Sequence, residues 1–292
     1  MAGMVAPRAA ATIRAATQQD VAAIAEVAAA CDEPIDTPGR SGSPYAEHLV
    51  GRGVALVAEL DGRVVAYAGL VDLGASVHLS DLFVSPAHQG QGLGSLLLAA
   101  ILPRDVPAST FSSADPRALP LYLRAGLGAW WPNLYLRGET SGLPTAAALG
   151  GLAVERVDAD TAAAAWADLE AGADRGLDVA FWTALPGGGC VLLRDGGAVA
   201  GLAVATDGRT AGVRRLVRLA MAADADPVAV VATALHWAGP AGTVARLTVP
   251  GPHPALPILL RAGFRIVDRD TFLASDPSLV DARRTLPDPS FR

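Results

Sequence analysis

The chain repeats itself, and this repeat constrains the fold more than any other feature of the sequence. The segment Leu119–Leu127, with the sequence LPLYLRAGL, recurs almost unchanged as LPILLRAGF over Leu256–Phe264, 137 positions later. The dipeptide Asp61-Gly62 recurs as Asp195-Gly196 at nearly the same offset. Offsets that drift so little along the chain indicate two copies of one domain rather than a shared short motif.

Domain boundaries follow from this repeat and from local composition. We expect a first domain over residues 1–140, a linker over 141–151 and a second domain over 152–292. The segment Glu139–Gly151 is rich in Gly, Ala and Thr and contains Pro144, as linkers often are. A length of 292 residues also suits two ordinary domains.

Hydrophobic periodicity gives the elements of the first copy. A strand at Thr12–Ala15 precedes an amphipathic helix with Val21, Ile24 and Val27 on one face. Further along we predict strands at 54–60, 64–71 and 77–84, a helix at 93–102, a strand at 108–112, a helix at about 116–124 and closing strands around 130–137. Asp61-Gly62 is a type I′ hairpin dipeptide. The predicted fold class is therefore α/β, with a mixed sheet flanked by helices in each copy.

Composition excludes several classes of function. With 29 acidic and 23 basic residues the net charge is -6, which argues against a nucleic-acid partner. Cys31 and Cys190 lie far apart without metal-ligand spacing, so we expect neither a disulfide nor a metal site. The longest apolar runs fall short of the ~18 residues of a membrane span, and we expect a cytoplasmic protein. All basic residues are Arg, which suggests a GC-rich bacterial genome.

A glycine-rich loop lies between a predicted strand and a predicted helix, over His88–Gly94. Glycines at 90, 92 and 94 would let the backbone approach a pyrophosphate, which the helix N-terminus can bind. A simple turn is the structural alternative. A Rossmann loop is the functional alternative, and Asp115 lies at about the right distance for its acidic residue, but Ser95 stands where its third glycine belongs. The loop also follows a three-stranded meander, which disfavours the Rossmann interpretation.

Residues 12–138 resemble the GNAT acetyltransferase superfamily in three motifs. The first is Gln89-x-x-Gly92-x-Gly94, which resembles the pyrophosphate loop of the family, and the second is the strand end Asp81–Pro86 that precedes it. The third is Asp115-x-x-Ala118-x-x-Leu121-Tyr122-x-x-x-Gly126-Leu127, with Asp and Leu where the family carries Asn and Phe.

The resemblance implies acetyl-CoA as co-substrate, bound between the strand that ends at Val84 and the strand 108–112. Its pantetheine arm would pair with the backbone of 82–84 as an added strand does, and residues 89–95 would hold the pyrophosphate. The implied binding residues are Leu82, Phe83, Val84, Gln89, Gly90, Gln91, Gly92, Leu93, Gly94, Ser95 and Asp115.

The resemblance also implies catalytic roles. Tyr122 would protonate the departing thiolate, for which an unperturbed pKa of about 10 is suitable; a tyrosine packed on a helix is the structural alternative. Asp81 lies near a position where the family often carries an acid, and His78 has the more suitable pKa for a base. These two alternate along one strand and point to opposite faces, so either of them, or a water chain, is the base; each is otherwise a polar group at a strand end.

The acceptor side is indicated by acidic and aromatic residues. The segment Asp32–Tyr45 contains Asp32, Glu33 and Asp36, which would attract a cationic amine or simply be solvated. Trp130, Trp131 and Tyr135 either line the acceptor pocket or belong to the core.

The second copy differs at the loop. Its sequence Met221–Pro227 has no glycine, and Asp224 and Asp226 add negative charge; Leu259 replaces Tyr122. We expect this copy to have lost the cofactor. The predicted function is acetyl transfer to the amine of a small molecule by direct attack in a ternary complex, since no Cys lies in any motif. The alternative is a non-catalytic acyl-CoA sensor or interaction protein. A homodimer is compatible with either.

Overall fold

The computed structural model describes residues 11–33, 42–170 and 173–292. The chain divides into two compact units. Of the described residues, 11–33, 42–72 and 79–105 belong to the first unit, and 73–78, 106–170 and 173–292 belong to the second.

Four strands form the sheet of the first unit, in the order β1-β2-β3-β4. They are β1 (Thr12–Ala15), β2 (Val54–Leu60), β3 (Arg63–Asp72) and β4 (Val77–Val84), whose last six residues belong to this unit. Antiparallel pairing joins β1 to β2 and β2 to β3. The turn between β2 and β3 has φ 49° at Asp61 and 73° at Gly62, the positive values that a type I′ turn requires. The predicted hairpin is confirmed.

Three helices cover this sheet: α1 (Val21–Ala30), α2 (Pro44–Arg52) and α3 (Leu93–Ile101). The predicted apolar face of α1 is buried. Helix α2 was not predicted, because a short segment that contains Pro and Gly carries little periodic signal. Its buried Leu49 packs against Gly69 of β3, where a Cβ atom would lie 2.5 Å from Leu49 Cδ1. The glycine therefore allows α2 to approach the sheet closely.

The second unit holds the remaining elements. Its strands are β5 (Ala108–Ser112), β6 (Gly128–Glu139), β7 (Ala153–Val157), β8 (Gly189–Asp195), β9 (Ala198–Asp207), β10 (Val213–Met221), β11 (Val244–Pro250), β12 (Arg265–Ala274) and β13 (Thr285–Leu286). Its helices are α4 (Ala118–Arg124), α5 (Ala159–Leu169), α6 (Gly176–Ala184), α7 (Pro227–Ala238) and α8 (Leu256–Arg261). The strand order is β5-β12-β6-β11-β10-β9-β8-β7, and β13 pairs with β10. Strands β10 and β11 pair in parallel.

The order of elements is the same in both halves of the chain: a strand, two helices, three strands, a helix, a strand, a helix and a strand. Helices α4 and α8 carry the repeated sequence, and each ends before a glycine of nearly equal φ, 92° at Gly126 and 91° at Gly263. The mostly antiparallel sheet with flanking helices confirms the predicted fold class.

Two predicted details of the first copy are wrong. Helix α4 begins at Ala118, not near Pro116, because the Asp115 carboxylate accepts the Arg117 N–H at 2.8 Å and forms a turn ahead of the helix. The closing segment is the single strand β6 rather than several strands.

The closing strands of the two halves are exchanged within the second unit. Strand β6, from the first half, lies between β11 and β12 and pairs antiparallel with both. Strand β12, from the second half, pairs with β5. Leu136 of β6 is fully buried in one core with Leu216 and Leu247 of the second half. Each half therefore completes its sheet with a strand of the other half.

No helix within residues 11–33, 42–170 or 173–292 is both long enough and apolar enough to cross a membrane.

The strand exchange predicts that residues 1–142 alone will not form a stable protein, because β5 would lose β12 and β6 would lose both neighbours. Co-expression of 1–142 with 143–292 should restore one complex with the elution volume and melting temperature of the intact chain. A soluble 1–142 fragment that melts at the same temperature as the intact chain would contradict the prediction.

Candidate active site

The glycine-rich loop connects β4 to α3 in the first unit. Gly90 and Gly92 have φ of 72° and 86°, values that residues with a Cβ atom rarely adopt, and both would direct a Cβ atom into open space. The Leu96 N–H donates to the Gly92 carbonyl at 3.1 Å, which is the first bond of the helix ladder. No side chain of the described residues caps α3. The N–H groups of the first turn are therefore available to an acceptor, and an anion is the favoured one.

The end of β4 is held by two side chains. The Val84 carbonyl accepts the Gln89 side-chain amide at 2.9 Å and the Cys31 thiol at 3.3 Å. Leu82, Phe83 and Val84 are all half-buried, and the Phe83 ring packs on Tyr67 at 5.6 Å between centroids. The structure thus brings the strand end and the loop together, and Gln89 fixes the loop to the strand.

Asp81 of β4 accepts a hydrogen bond of 2.8 Å from the Tyr45 hydroxyl of α2 and is 8% exposed. Burial, followed by the charge of Asp81, raises the pKa of Tyr67 well above its usual range, so Tyr67 is neutral. Its hydroxyl is buried without a hydrogen-bond partner among the described residues. Sequence reasoning missed Tyr45 as a partner, although it ends the segment expected to bind the acceptor. Asp36 of that segment lies outside the described residues.

His78 belongs to the second unit and is fully buried. Its Nδ1 lies 3.0 Å from Ser109 Oγ, and its Nε2 lies 2.9 Å from the Pro289 carbonyl oxygen. Burial lowers the pKa of His78 to about 3, so the ring is neutral at pH 7 and its Nε2 donates to the carbonyl. Both ring nitrogens are engaged, which favours Asp81 over His78 as the base.

Tyr122 and Asp115 also belong to the second unit. Tyr122 lies on α4 and is 6% exposed. The Asp115 carboxylate accepts hydrogen bonds from the main chain and the guanidinium of Arg117, which lower the pKa of Asp115. Trp131 stacks on Phe272 of β12 at 4.4 Å between centroids and so belongs to the core.

Two further aromatic residues of β6 also contact β12. The Trp130 indole donates to the Ala274 carbonyl at 3.0 Å, but the residue is 47% exposed. The Tyr135 hydroxyl donates to Asp270 at 2.5 Å.

The second half has a different arrangement after its corresponding strand, β10. The connection from β10 to α7 is shorter and has no glycine, and the Asp226 side chain caps α7 by accepting the Val228 N–H at 2.9 Å. The last residues of β10 pair with the C-terminal segment, residues 275–292. Leu219 pairs with Leu286, and Ala220 pairs with Thr285. The main-chain positions that correspond to Leu82–Val84 are thus already occupied by a strand of the same chain.

No group of three or more His, Cys, Asp and Glu side chains within the described ranges is arranged to hold a metal ion.

Comparisons with known proteins agree with this geometry. The family described as "Acetyltransferase (GNAT) domain" matches residues 51–126, which include the glycine loop and Tyr122. A protein of Amycolatopsis mediterranei (strain U-32), described as mycothiol acetyltransferase, is 36% identical over 107 residues. That alignment covers 30% of this chain and 36% of the relative, so the chain matches about a third of its relative's length.

Solved structures share the fold over most of the chain. A protein from Pyrococcus horikoshii aligns with a TM-score of 0.68 and 15% identity, over 90% of this chain and 88% of its own. A GCN5-related N-acetyltransferase from Anabaena variabilis aligns with a TM-score of 0.62 and 14% identity, over 94% and 75% of the two chains. A tandem GNAT protein from the clavulanic acid biosynthesis pathway aligns with a TM-score of 0.59 and 17% identity, over 92% and 99%. At these identities the likeness establishes the fold.

Proposed function

We propose that this chain transfers an acetyl group from acetyl-CoA to the amine of a small molecule, because residues 51–126 match the acetyltransferase (GNAT) domain family. The observation that carries the proposal is the uncapped N-terminus of α3, which follows a loop with two glycines of positive φ. The N–H groups of Leu93, Gly94 and Ser95 form an anion site that a CoA pyrophosphate fits. Gly90, Gln91 and Gly92 supply the close backbone approach.

We also propose that the two halves of the chain have different roles. Residues 1–140 form the catalytic domain, 141–151 the linker and 152–292 a degenerate copy that binds no acetyl-CoA. Two features of the second half support this: Asp226 caps its helix where a pyrophosphate would have to lie, and Thr285–Leu286 pair with the end of β10. We also propose that Asp115, which accepts hydrogen bonds from Arg117, contacts the cofactor.

The reaction replaces a carbon–sulfur bond by a carbon–nitrogen bond and moves protons at both the nitrogen and the sulfur. A cationic acceptor first loses one proton to solvent. The neutral amine nitrogen then forms a bond to the thioester carbonyl carbon, the amine gives one proton to a base, and the carbon–sulfur bond breaks. The departing thiolate takes a proton, so that the products are an acetamide and CoA thiol. We assign the thiolate's proton to the Tyr122 hydroxyl.

We assign the removal of the amine proton to Asp81. Its carboxylate accepts the Tyr45 hydroxyl and is nearly buried, so one oriented carboxylate lies next to neutral phenols. Such a group can accept a proton directly or through one water. Asp32 and Glu33, both exposed, would attract a cationic amine from solvent.

The curated relative's description as a mycothiol acetyltransferase supports acetyl transfer to a small metabolite rather than to a protein. The rival function is an acyl-CoA sensor without turnover. Release of CoA thiol from acetyl-CoA in the presence of a panel of amines separates the two: the proposal requires turnover with at least one amine, and saturable acetyl-CoA binding without turnover would establish the sensor.

Gly92→Asp should weaken acetyl-CoA binding at least about tenfold more than Gly92→Asn, measured by calorimetry. Both residues accept the positive φ of 86° about equally and are nearly equal in size, so the comparison isolates a negative charge beside a phosphate. The unaltered chain should bind one equivalent. Two equivalents, or equal losses in the two variants, would exclude the loop as the single binding site.

Tyr122→Phe should lower kcat by about 10²-fold or more while the acetyl-CoA Kd stays within about twofold, because a proton donor acts in the transition state and the ring still packs. Steady-state thiol release and calorimetry measure the two quantities. An unchanged kcat would show that another group protonates the thiolate.

Asp81→Asn should lower kcat/KM by at least about tenfold, since the amide cannot accept the proton. Tyr45→Phe should have a smaller effect, because it keeps the carboxylate and removes only its hydrogen bond. Asp105→Asn makes the same chemical change in an exposed loop and should leave kcat/KM unaltered. Equal rates for Asp81→Asn and Asp105→Asn would remove Asp81 from the mechanism.

A further inference from the structure

The second unit contains a cavity of about 220 Å³ that the proposed reaction does not use. It lies among the end of α5, the second half of β10 and the C-terminal segment. Residues of all three segments line it, and among the charged ones are Glu170, Arg218, Asp281, Arg284 and Arg292. Ser278 and Asp281 are exposed, so the cavity is open to solvent on that side.

Arg218 is the central group of this cavity. The residue is 1% exposed, and its guanidinium carbon lies 5.2 Å from the centroid of the Trp166 ring. Its Nη2 donates to both carboxylate oxygens of Glu170, at 2.5 and 2.7 Å. Its Nε and Nη1 are buried and have no hydrogen-bond partner among the described residues. A buried guanidinium with two unused donors is costly unless an acceptor can reach it.

Arg218 lies among other buried charged groups. Arg175 and Arg292 are also buried, and Arg175 lies 3.5 Å from both Glu170 and Asp178. The half-buried Glu170 and the buried Asp178 thus pair with the guanidinium groups of Arg175 and Arg218. The buried Asp288 also acts electrostatically on Arg218.

Arg284, at the mouth of the cavity, adds a fourth positive charge. Its Nε lies 3.6 Å from Asp281, without a hydrogen bond. Burial and, to a smaller extent, the neighbouring guanidinium groups together lower the pKa of Arg218 to about 10 and that of Arg292 to about 9. An added anion would relieve this repulsion.

We propose that the cavity binds a small anion through a carboxylate or phosphate group, with Arg218 and Arg284 as its main donors. A guanidinium presents paired N–H donors that match the oxygens of either group. A volume of about 220 Å³ admits a small metabolite and excludes a molecule the size of CoA. The site is separate in sequence and in composition from the glycine loop.

The C-terminal segment supplies part of this site. Arg284, Thr285 and Arg292 line the cavity, while the main chain of Thr285 and Leu286 pairs with β10. Arg175 in addition donates to the carbonyl oxygens of Phe291 and Arg292, at 2.5 and 2.9 Å. An anion bound between Arg218 and Arg284 therefore links β10 to this segment and should stabilise their pairing.

The test uses the full chain with Gly92→Asp, so that phosphate binding at the glycine loop does not contribute. Calorimetric titration with inorganic phosphate, and separately with succinate, at ionic strength held constant with NaCl, should show one saturable site per chain for at least one of them. The stronger of the two identifies the preferred group. Because the loop is already disabled, the result does not depend on acetyl transfer.

Arg284→Gln in the same background should weaken this binding at least about tenfold, since a charged donor is lost. Arg283→Gln, at the exposed neighbouring position, should leave it within about twofold. Arg218→Gln should abolish it; if that variant does not fold, the Arg284 and Arg283 pair decides. No saturable binding of either anion, or equal affinity in Arg284→Gln and Arg283→Gln, overturns the proposal.

Discussion

The main-chain hydrogen bonds that β6 makes with β11 and β12 hold the second unit together. Every buried N–H and C=O of a central strand needs a partner, and β6 finds its partners on both sides in the other half of the chain. Strand β12 in turn gives β5 its neighbour. The exchange gives a physical reason for the second half to be retained, because the first half completes its sheet with a strand of the second.

The two halves share a strand–loop–helix segment, but they differ in how the helix N-terminus and the end of the strand find hydrogen-bond partners. In the first half, the loop after β4 contains glycines of positive φ and leaves the N-terminus of α3 uncapped. In the second half, Asp226 caps α7, and Thr285–Leu286 pair with the end of β10. One backbone architecture therefore offers main-chain donors to a ligand in one copy and satisfies them internally in the other.

Charge separates the functions that we propose for the two halves. Asp81 is a nearly buried carboxylate that is bonded by a neutral phenol, an arrangement suited to accepting a proton from an amine. Arg218 is a buried guanidinium whose Nε and Nη1 have no hydrogen-bond partner among the described residues, an arrangement suited to holding an anion. A chain with a net charge of -6 thus buries three arginines, Arg175, Arg218 and Arg292, in its second unit.

The features that the sequence alone determined are those that depend on short local patterns. The repeat of Leu119–Leu127 predicts two similar helices, Asp61-Gly62 predicts a hairpin because few other residues adopt two successive positive φ values, and Gly90 and Gly92 predict a loop that an anion can approach. Each of these signals lies within a few consecutive residues, where backbone conformation follows directly from residue type.

Contacts between residues far apart in the sequence decided the side-chain partners and the strand order. The Tyr45 hydroxyl donates to Asp81, which lies 36 residues away in the sequence. The His78 Nε2 donates to the Pro289 carbonyl, 211 residues away, and this contact disfavours His78 as the base. The strand exchange and the contacts of the buried arginines also join segments that lie far apart in the sequence. Periodicity marks which side chains are buried but not which of the buried ones meet, and strand order does not follow from the order of elements along the chain. Tertiary packing therefore decided the partners, and with them the chemistry of each site.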